Sequence, residues 1–236
     1  LVGVQKNAEE YESNCPDFGN FFESATDNIL FVVGGSGAIS GLSLRVLELL
    51  KDKQISVLYI QPDLDLLSDI GAKQEKIIYN VLQEYARSGL FKQAYLVSNP
   101  VLEEIVGKVS VLNYNKQLNQ LIVATLHMIN VFDHIESVMD TFSQVSNIAR
   151  IVTFGVVDLK KNEQKLFFPL DNASEFRYYY SINKEQLEEE GDFLLNVKKN
   201  IKENYSDEVR ASYGIYSSDY EQDYGYVVAY SSQIQK

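Results

Sequence analysis

Between Val33 and Gly41 the chain reads Val-Gly-Gly-Ser-Gly-Ala-Ile-Ser-Gly, a spelling able to hold a phosphate chain. Glycines let a backbone take positive φ and come close to a ligand, and the hydroxyls of Ser36 and Ser40 add donors. A helix opening directly after the glycines would turn its unpaired N–H groups and the positive end of its dipole on the same point. A tight turn that needs glycine only for close packing would be spelled the same way. No Lys follows the glycines, so this is not the Gly-x-x-x-x-Gly-Lys phosphate loop. Ser40 stands where a Gly-x-Gly-x-x-Gly dinucleotide fingerprint would place its third glycine.

The elements around this loop must position it. The run from Asp27 to Val33 is apolar and β-branched and predicts a fully buried strand. Leu42, Leu44, Val46, Leu47, Leu49 and Leu50 predict a helix over 40–51. A strand over 55–60, a helix over 72–87 with apolar residues at Ile77, Ile78, Val81, Leu82 and Tyr85, and a strand over 93–97 continue the alternation. Strands and helices alternating at this spacing predict βαβ units and a parallel sheet. Residues 115–131 then predict a long helix, too apolar for a surface helix and so expected in the middle of the molecule. Beyond it, strands rich in Tyr and β-branched residues are predicted over 150–157, 176–181, 209–216 and 224–230, with one charged helix over 184–203. The expected fold class is α/β, a parallel-sheet domain joined by a core helix to a second α/β domain with a mixed sheet.

The chain has 236 residues, 45% hydrophobic and 23% charged, which is ordinary globular composition. Its 21 basic and 33 acidic residues give a formal charge of −12. Polyanion binding rests on clustered Lys and Arg; the pairs Lys160-Lys161 and Lys198-Lys199 stand alone, which argues against direct nucleic-acid binding. An acidic body can still receive a basic partner. The apolar runs 29–34 and 121–131 fall far short of the roughly 20 residues of a membrane span. Cys15 is the one cysteine, so no intrachain disulfide can form, and it lacks the basic surroundings of a nucleophile. His127 and His134 have no cysteine partner and do not read as a zinc site.

The glycine loop resembles the tubulin signature motif Gly-Gly-Gly-Thr-Gly-[Ser/Thr]-Gly of the tubulin/FtsZ superfamily. Laid on it without gaps, Gly34, Gly35 and Gly37 fall on glycines and Ser36 replaces the Thr. Val33, Ala38 and Ile39 depart from it, while Ser40 and Gly41 supply a hydroxyl and a glycine slightly later. The spelling is similar to that of divergent phage tubulins of the PhuZ kind. Val97-Ser98-Asn99-Pro100-Val101-Leu102 resembles the family's Val-x-Asn-x-x-Leu stretch, and Val209–Ser217 with Tyr224–Ser231 look like the paired final strands of FtsZ's second domain.

The resemblance implies GTP or GDP with Mg²⁺ as ligand, and head-to-tail self-association into a filament. It implies a nucleotide-binding domain over 1–131 and an activation domain over 132–236. Gly34, Gly35, Ser36, Gly37, Ser40 and Gly41 would hold the phosphates. Asn115 would read the base, with Val111 at the position of the stacking aromatic and Tyr114 as its substitute. In FtsZ an Asn-x-Asp-x-x-[Asp/Glu] loop completes hydrolysis on the neighbouring subunit's nucleotide, by orienting water and offsetting charge around Mg²⁺. Here Asn130, Asp133 and Glu136 fit that pattern with one residue inserted after Asn130. Asp133 with Glu136 three residues on is also the spelling of a helix-opening capping box. The family's first strand and its own glycine loop would lie before Leu1. The expected location is the cytoplasm, of the host cell for a phage protein. The alternative is a structural or interaction protein that keeps the fold and has lost turnover, consistent with Ala38 in place of a hydroxyl and the shifted Asp133.

Overall fold

The computed structural model describes residues 3–189, 191–205 and 208–236. The chain divides into two compact units, Leu1–Pro100 with Ile234–Lys236, and Val101–Gln233. Together they form a mixed α/β structure with parallel and antiparallel strands.

In the first unit, β1 (Asn28–Gly34), β2 (Gln54–Gln61) and β3 (Gln93–Ser98) are parallel neighbours in that order. α1 (Ala8–Ser13) precedes them, α2 (Ser43–Leu49) links β1 to β2, and α3 (Asp69–Ser88) links β2 to β3. α3 begins where the Ser68 hydroxyl accepts the Gly71 N–H at 3.2 Å and stops at Gly89, whose φ of 89° only glycine adopts freely. Ile78, Tyr79, Leu82 and Ala86 give it a buried face at helical spacing. On the same face, buried Gln83 exchanges two hydrogen bonds with the main chain of Gln235, which fastens the C-terminal residues to this unit. β1 departs from its expectation. Among the described residues it pairs with β2 alone, and within it only Val33 is buried, while Leu30 and Val32 are 46% and 55% exposed. An edge strand lacks the second neighbour and the double cover that full burial needs.

α4 (Asn99–Val106) spans the division between the units. The second unit then holds α5 (Tyr114–Phe132), β4 (Met139–Asp140), β5 (Ile151–Asp158), β6 (Glu163–Leu166) and β7 (Glu175–Asn183). α6 (Lys184–Glu189), α7 (Asp192–Asn204), β8 (Arg210–Ser218) and β9 (Tyr224–Ser231) complete it. Its strands run in the order β5-β9-β7-β8-β4 with β6 beside β5; β7 and β8 are parallel and the other pairs antiparallel. β8 and β9 are therefore not paired with each other, because β7 lies between them. Their connection crosses the end of β7, where the Asn183 main-chain N–H donates to Asp223 Oδ1 and its side chain to the Tyr220 carbonyl, both at 2.8 Å. The charged helix expected over 184–203 is two helices, with Gly191 immediately before the second.

β7 separates two cores by strand alternation. Tyr178, Tyr180 and Ile182 belong to the cluster that includes Val197 of α7. Tyr179, on the other face, stacks at 6.0 Å on Phe132 at the end of α5. α5 is not buried all round: Leu118, Ile122, Thr125, Ile129 and Phe132 form one buried stripe, and Val123 is 65% exposed. That stripe is what packing on a single sheet face produces.

Candidate functional site

The glycine loop begins at the end of β1 and runs through a 3-10 turn, Ala38–Leu42, before α2 starts at Ser43. It meets the sequence expectation in part. Two of its donors are consumed internally: the Gly35 N–H goes to the Ile60 carbonyl at 3.1 Å and the Ser40 N–H to the Gly37 carbonyl at 2.8 Å. The Ser40 hydroxyl is also spent, donating to the Gly34 carbonyl at 2.5 Å, and the side chain is buried. It braces the loop and does not stand open as a phosphate donor. The amides of Ser36, Gly37, Ala38 and Ile39 have no protein acceptor among the described residues. They lie just before and at the start of the turn, where a helical turn leaves its first donors unpaired.

The glycines fall into two groups. A Cβ on Gly35 would lie 2.2 Å from the Tyr59 hydroxyl and 2.9 Å from Glu75 Cγ, and one on Gly41 would lie 2.4 Å from the Ala8 carbonyl oxygen. Packing explains both. A Cβ on Gly34 would meet nothing within 4 Å, and one on Gly37 only ordinary contacts at 3.7 Å. Neither has a left-handed backbone, since the positive-φ glycines among the described residues are Gly89 and Gly107. The positive φ expected of this loop is therefore not what its glycines supply. Gly34 and Gly37 are both exposed, and nothing among the described residues requires glycine at either.

Beneath the loop, the buried Tyr59 hydroxyl of β2 donates to Glu75 Oε1 of α3 at 2.5 Å. Burial, reinforced by the Glu75 carboxylate, pushes the Tyr59 phenol far above its ordinary value, so it stays a donor. Gln74 Nε2, also on α3, reaches the Gly37 carbonyl at 3.4 Å. No Lys or Arg bonds to residues 34–41 among the described residues. Charge on a bound phosphate would therefore be offset by main-chain amides and an added cation. Among the described residues there is also no group of three His, Cys, Asp or Glu able to hold a metal alone. Mg²⁺ that is bound mainly through phosphate oxygens and water needs no such group.

The other candidates lie on the second unit. Asn115 is exposed in the first turn of α5. Val111, just before it, is 92% exposed, and the Tyr114 hydroxyl donates to Glu103 Oε1. Asn130 lies in the last turn of α5, exposed, with its carbonyl 2.7 Å from His134 Nδ1. Asp133 is the C-terminal cap residue of α5 and Glu136 follows in an exposed loop. No helix opens at Asp133, so the capping box does not form: the chain goes on to β4.

What the sequence reading missed is how Asp133 is held. The Tyr179 hydroxyl donates to Asp133 Oδ1 at 2.8 Å, and the Tyr216 hydroxyl donates to the Phe132 carbonyl at 3.0 Å. Phe132 and Tyr216 rings lie 4.5 Å apart. Two tyrosines from neighbouring strands thus fix the end of α5 and one acid beyond it. Strand alternation in the Tyr178-Tyr179-Tyr180 run was the available signal, since it places Tyr179 alone on the face opposite its neighbours.

No family model matches the sequence, and no curated protein matches it. Solved structures do. A GTPγS-form protofilament of TubZ from Bacillus thuringiensis serovar israelensis matches with TM-score 0.70 at 15% identity, over 96% of this chain and 71% of that one. An empty FtsZ dimer from M. jannaschii matches with TM-score 0.69 at 13% identity, over 98% and 72%. CetZ from Methanosaeta thermophila matches with TM-score 0.62 at 17% identity, over 89% and 62%. A GDP-form TubZ protofilament is covered over 64% of its length, so the chain spans somewhat less than two thirds of some of these proteins and somewhat more of others. Likeness at such identity carries the fold alone, and the mixed α/β fold of this chain resembles that of TubZ, FtsZ and CetZ.

Proposed function

We propose that the chain is the nucleotide-binding and activation core of a filament-forming, tubulin-like GTP-binding protein, with hydrolysis completed between head-to-tail subunits. The observation that carries this reading is the span of α5. Asn115 stands in its first turn and Asp133 just past its last. At about 1.5 Å per residue they are separated by about 27 Å along the axis, too far to serve one nucleotide. If Asn115 reads a base, Asp133 acts on a different nucleotide, that of the next subunit. Heterologous contact of this kind builds filaments when the rotation does not close.

In this reading residues 1–131 form the nucleotide-binding domain and 132–236 the activation domain. Ser36 and the amides of residues 36–39 hold the phosphates, with Gly34 and Gly37 leaving room for them. Asp133, fixed by Tyr179, orients the attacking water, and Glu136 and Asn130 border it. Mg²⁺ would neutralise the phosphate oxygens that no basic side chain meets. The protofilament form of the TubZ neighbours supports self-association, and the loop's spelling supports a phage-like relative working in the cytoplasm.

The test is GTP-dependent right-angle light scattering by the chain. Gly37→Val should abolish it, and Asp133→Ala should leave it while removing phosphate release. Scattering indifferent to GTP would defeat the proposal. A second reading, the same fold without turnover, is favoured by one observation: the Ser40 hydroxyl is committed to the Gly34 carbonyl, and Ala38 supplies none. It predicts nucleotide-independent assembly and no phosphate release from the wild-type chain.

A further inference from the structure

The segment 133–142 carries Asp133 and Glu136 from the end of α5 to the edge of the sheet, and it is fastened at both ends. At its start the Tyr179 hydroxyl holds Asp133. At its far end β4 lies on β8, with Met139 opposite Ile215 and Asp140 opposite Gly214. The Val138 N–H donates to the Ile215 carbonyl and the Thr141 N–H to the Tyr213 carbonyl, both at 2.8 Å. A strand of two residues with both side chains exposed has little packing of its own to keep it there.

Phe142 supplies that packing. A Cβ on Gly214 would lie 2.6 Å from Phe142 Cε2, so the phenyl ring occupies the place that a side chain at 214 would take. The ring lies 5.2 Å from that of Tyr179, and the Arg177 guanidinium carbon stands 5.3 Å from its centroid. Arg177 Nη2 also donates to the Ser143 carbonyl, gripping the chain one residue further on. Strand register brings these groups together. Arg177 is opposite Ser212 and Tyr179 opposite Gly214, so alternation puts Arg177, Tyr179 and the gap at Gly214 on one face. Buried Glu175 aims the guanidinium: its Oε1 accepts from Arg177 Nε at 3.4 Å, while its Oε2 takes Arg210 Nη2 at 2.7 Å. A planar guanidinium that rests on a ring while donating in its own plane has no equivalent in Lys.

Glu136 stands between the two fastenings. It is exposed and bonds to no protein group among the described residues. Its neighbours are braced, since the Ser137 hydroxyl donates to Asp140 Oδ2 and the Phe142 N–H to Asp140 Oδ1 at 3.2 Å. The place of Glu136 is therefore set by the two ends of its segment and not by contacts of its own.

We propose that Phe142 and Arg177 are positioning residues, which fix the far end of this segment and through it the place of Glu136 against the neighbouring subunit's nucleotide. This role rests on the reading of Asp133 and Glu136 given above; the anchor itself does not.

Two variants of the intact chain test it: Phe142→Leu, which keeps apolar bulk and loses the ring, and Arg177→Lys, a milder change that keeps the charge. Circular dichroism checks the fold of each. Amide hydrogen exchange at Val138 and Thr141 should quicken roughly five- to tenfold, the loss of about one cation–π contact or hydrogen bond. The His134 amide, bonded to the Val131 carbonyl, should not change. Phosphate release at saturating GTP should fall roughly ten- to a hundredfold, as for a displaced reacting group. The affinity for a fluorescent GTP analogue and GTP-dependent scattering should stay at wild-type values. Unchanged exchange at Val138 and Thr141 would overturn the anchor, whatever the chain does with nucleotide. Quickened exchange with phosphate release at the wild-type rate would overturn the positioning role and leave the nucleotide reading standing. A wild-type chain that releases no phosphate would overturn that reading of Asp133 and Glu136 and the positioning role with it.

Discussion

Tyr179 hands its phenolic hydrogen to Asp133 Oδ1 across 2.8 Å, from the middle of β7 to the residue that ends α5. The phenol is fully buried, and burial, with Tyr230 and Asp133 adding to it, raises its pKa far above the ordinary tyrosine value. It is therefore a permanent donor and holds the carboxylate in one place. Tyr179→Phe keeps the ring stack on Phe132 and removes the donor. The expected cost is about 1 kcal/mol in urea unfolding, with phosphate release reduced and GTP-dependent assembly retained. A variant that releases phosphate at the wild-type rate would show that Tyr179 does not position Asp133 for the reaction.

The two groups of glycines should behave oppositely. Gly35→Ala and Gly41→Ala drive a methyl into Tyr59 and into the Ala8 main chain, so each should destabilise by about 1–3 kcal/mol, the usual penalty of overpacking. Gly34→Ala and Gly37→Ala meet open space or ordinary contact and should leave the melting temperature within a degree or two of wild type. Their effect should instead be on guanine-nucleotide affinity, measured with a fluorescent GTP analogue. Equal destabilisation by all these variants would mean the loop's glycines serve packing alone.

Alkaline pH should unlock the tyrosine-rich unit. Burial, with Asp133 and Asp140 nearby, pushes the Tyr216 phenol up to about 12, and burial chiefly raises Tyr226 to about 12. In the unfolded chain these groups ionise near pH 10, at about the ordinary value. The folded-state pKa is the higher one, so the stability they contribute is complete below about pH 10 and is lost as pH rises towards 12. The urea midpoint should hold from pH 8 to 9 and fall from pH 10 upward. Tyr216→Phe should start less stable, having lost its bond to the Phe132 carbonyl, and fall less steeply. A parallel fall in the variant would remove Tyr216 from the explanation.

The buried pair under the loop gives a further check. Tyr59→Phe leaves Glu75 Oε1 without its donor in a site 5% exposed, and an unpaired buried acceptor costs about 1–3 kcal/mol. Replacing Glu75 by Leu in the Tyr59→Phe background should recover part of that loss in thermal unfolding. A neutral Tyr59→Phe would show that water or another group already satisfies Glu75.

Much of the architecture was legible because burial leaves a periodic trace. Residues 72–87 and 115–131 carry helical spacing and became α3 and α5, and the β-branched runs became β2, β3, β5, β7 and β9. Sequence pattern does not report a strand's neighbours, however. The apolar run of β1 reads as a central strand although it stands at an edge, and β8 and β9 read as a pair although β7 separates them. At the site, the place of the loop between a strand and a helical turn was readable from glycine spacing. Which glycines face Tyr59 or Ala8, and that the Ser40 hydroxyl turns inward, depend on contacts with β2, α3 and α1 that are remote in sequence. The bond from Tyr179 to Asp133 spans 46 positions and leaves no local trace beyond strand alternation.

Hydrogen exchange at the loop amides addresses the phosphate cradle itself. Mass spectrometry or NMR of the chain with and without saturating GTPγS and Mg²⁺ should find exchange at Ser36, Gly37, Ala38 and Ile39 slowed at least tenfold by nucleotide, while the Gly35 and Ser40 amides, already bonded within the protein, change little. Unchanged exchange at residues 36–39 in the presence of bound nucleotide would contradict the account.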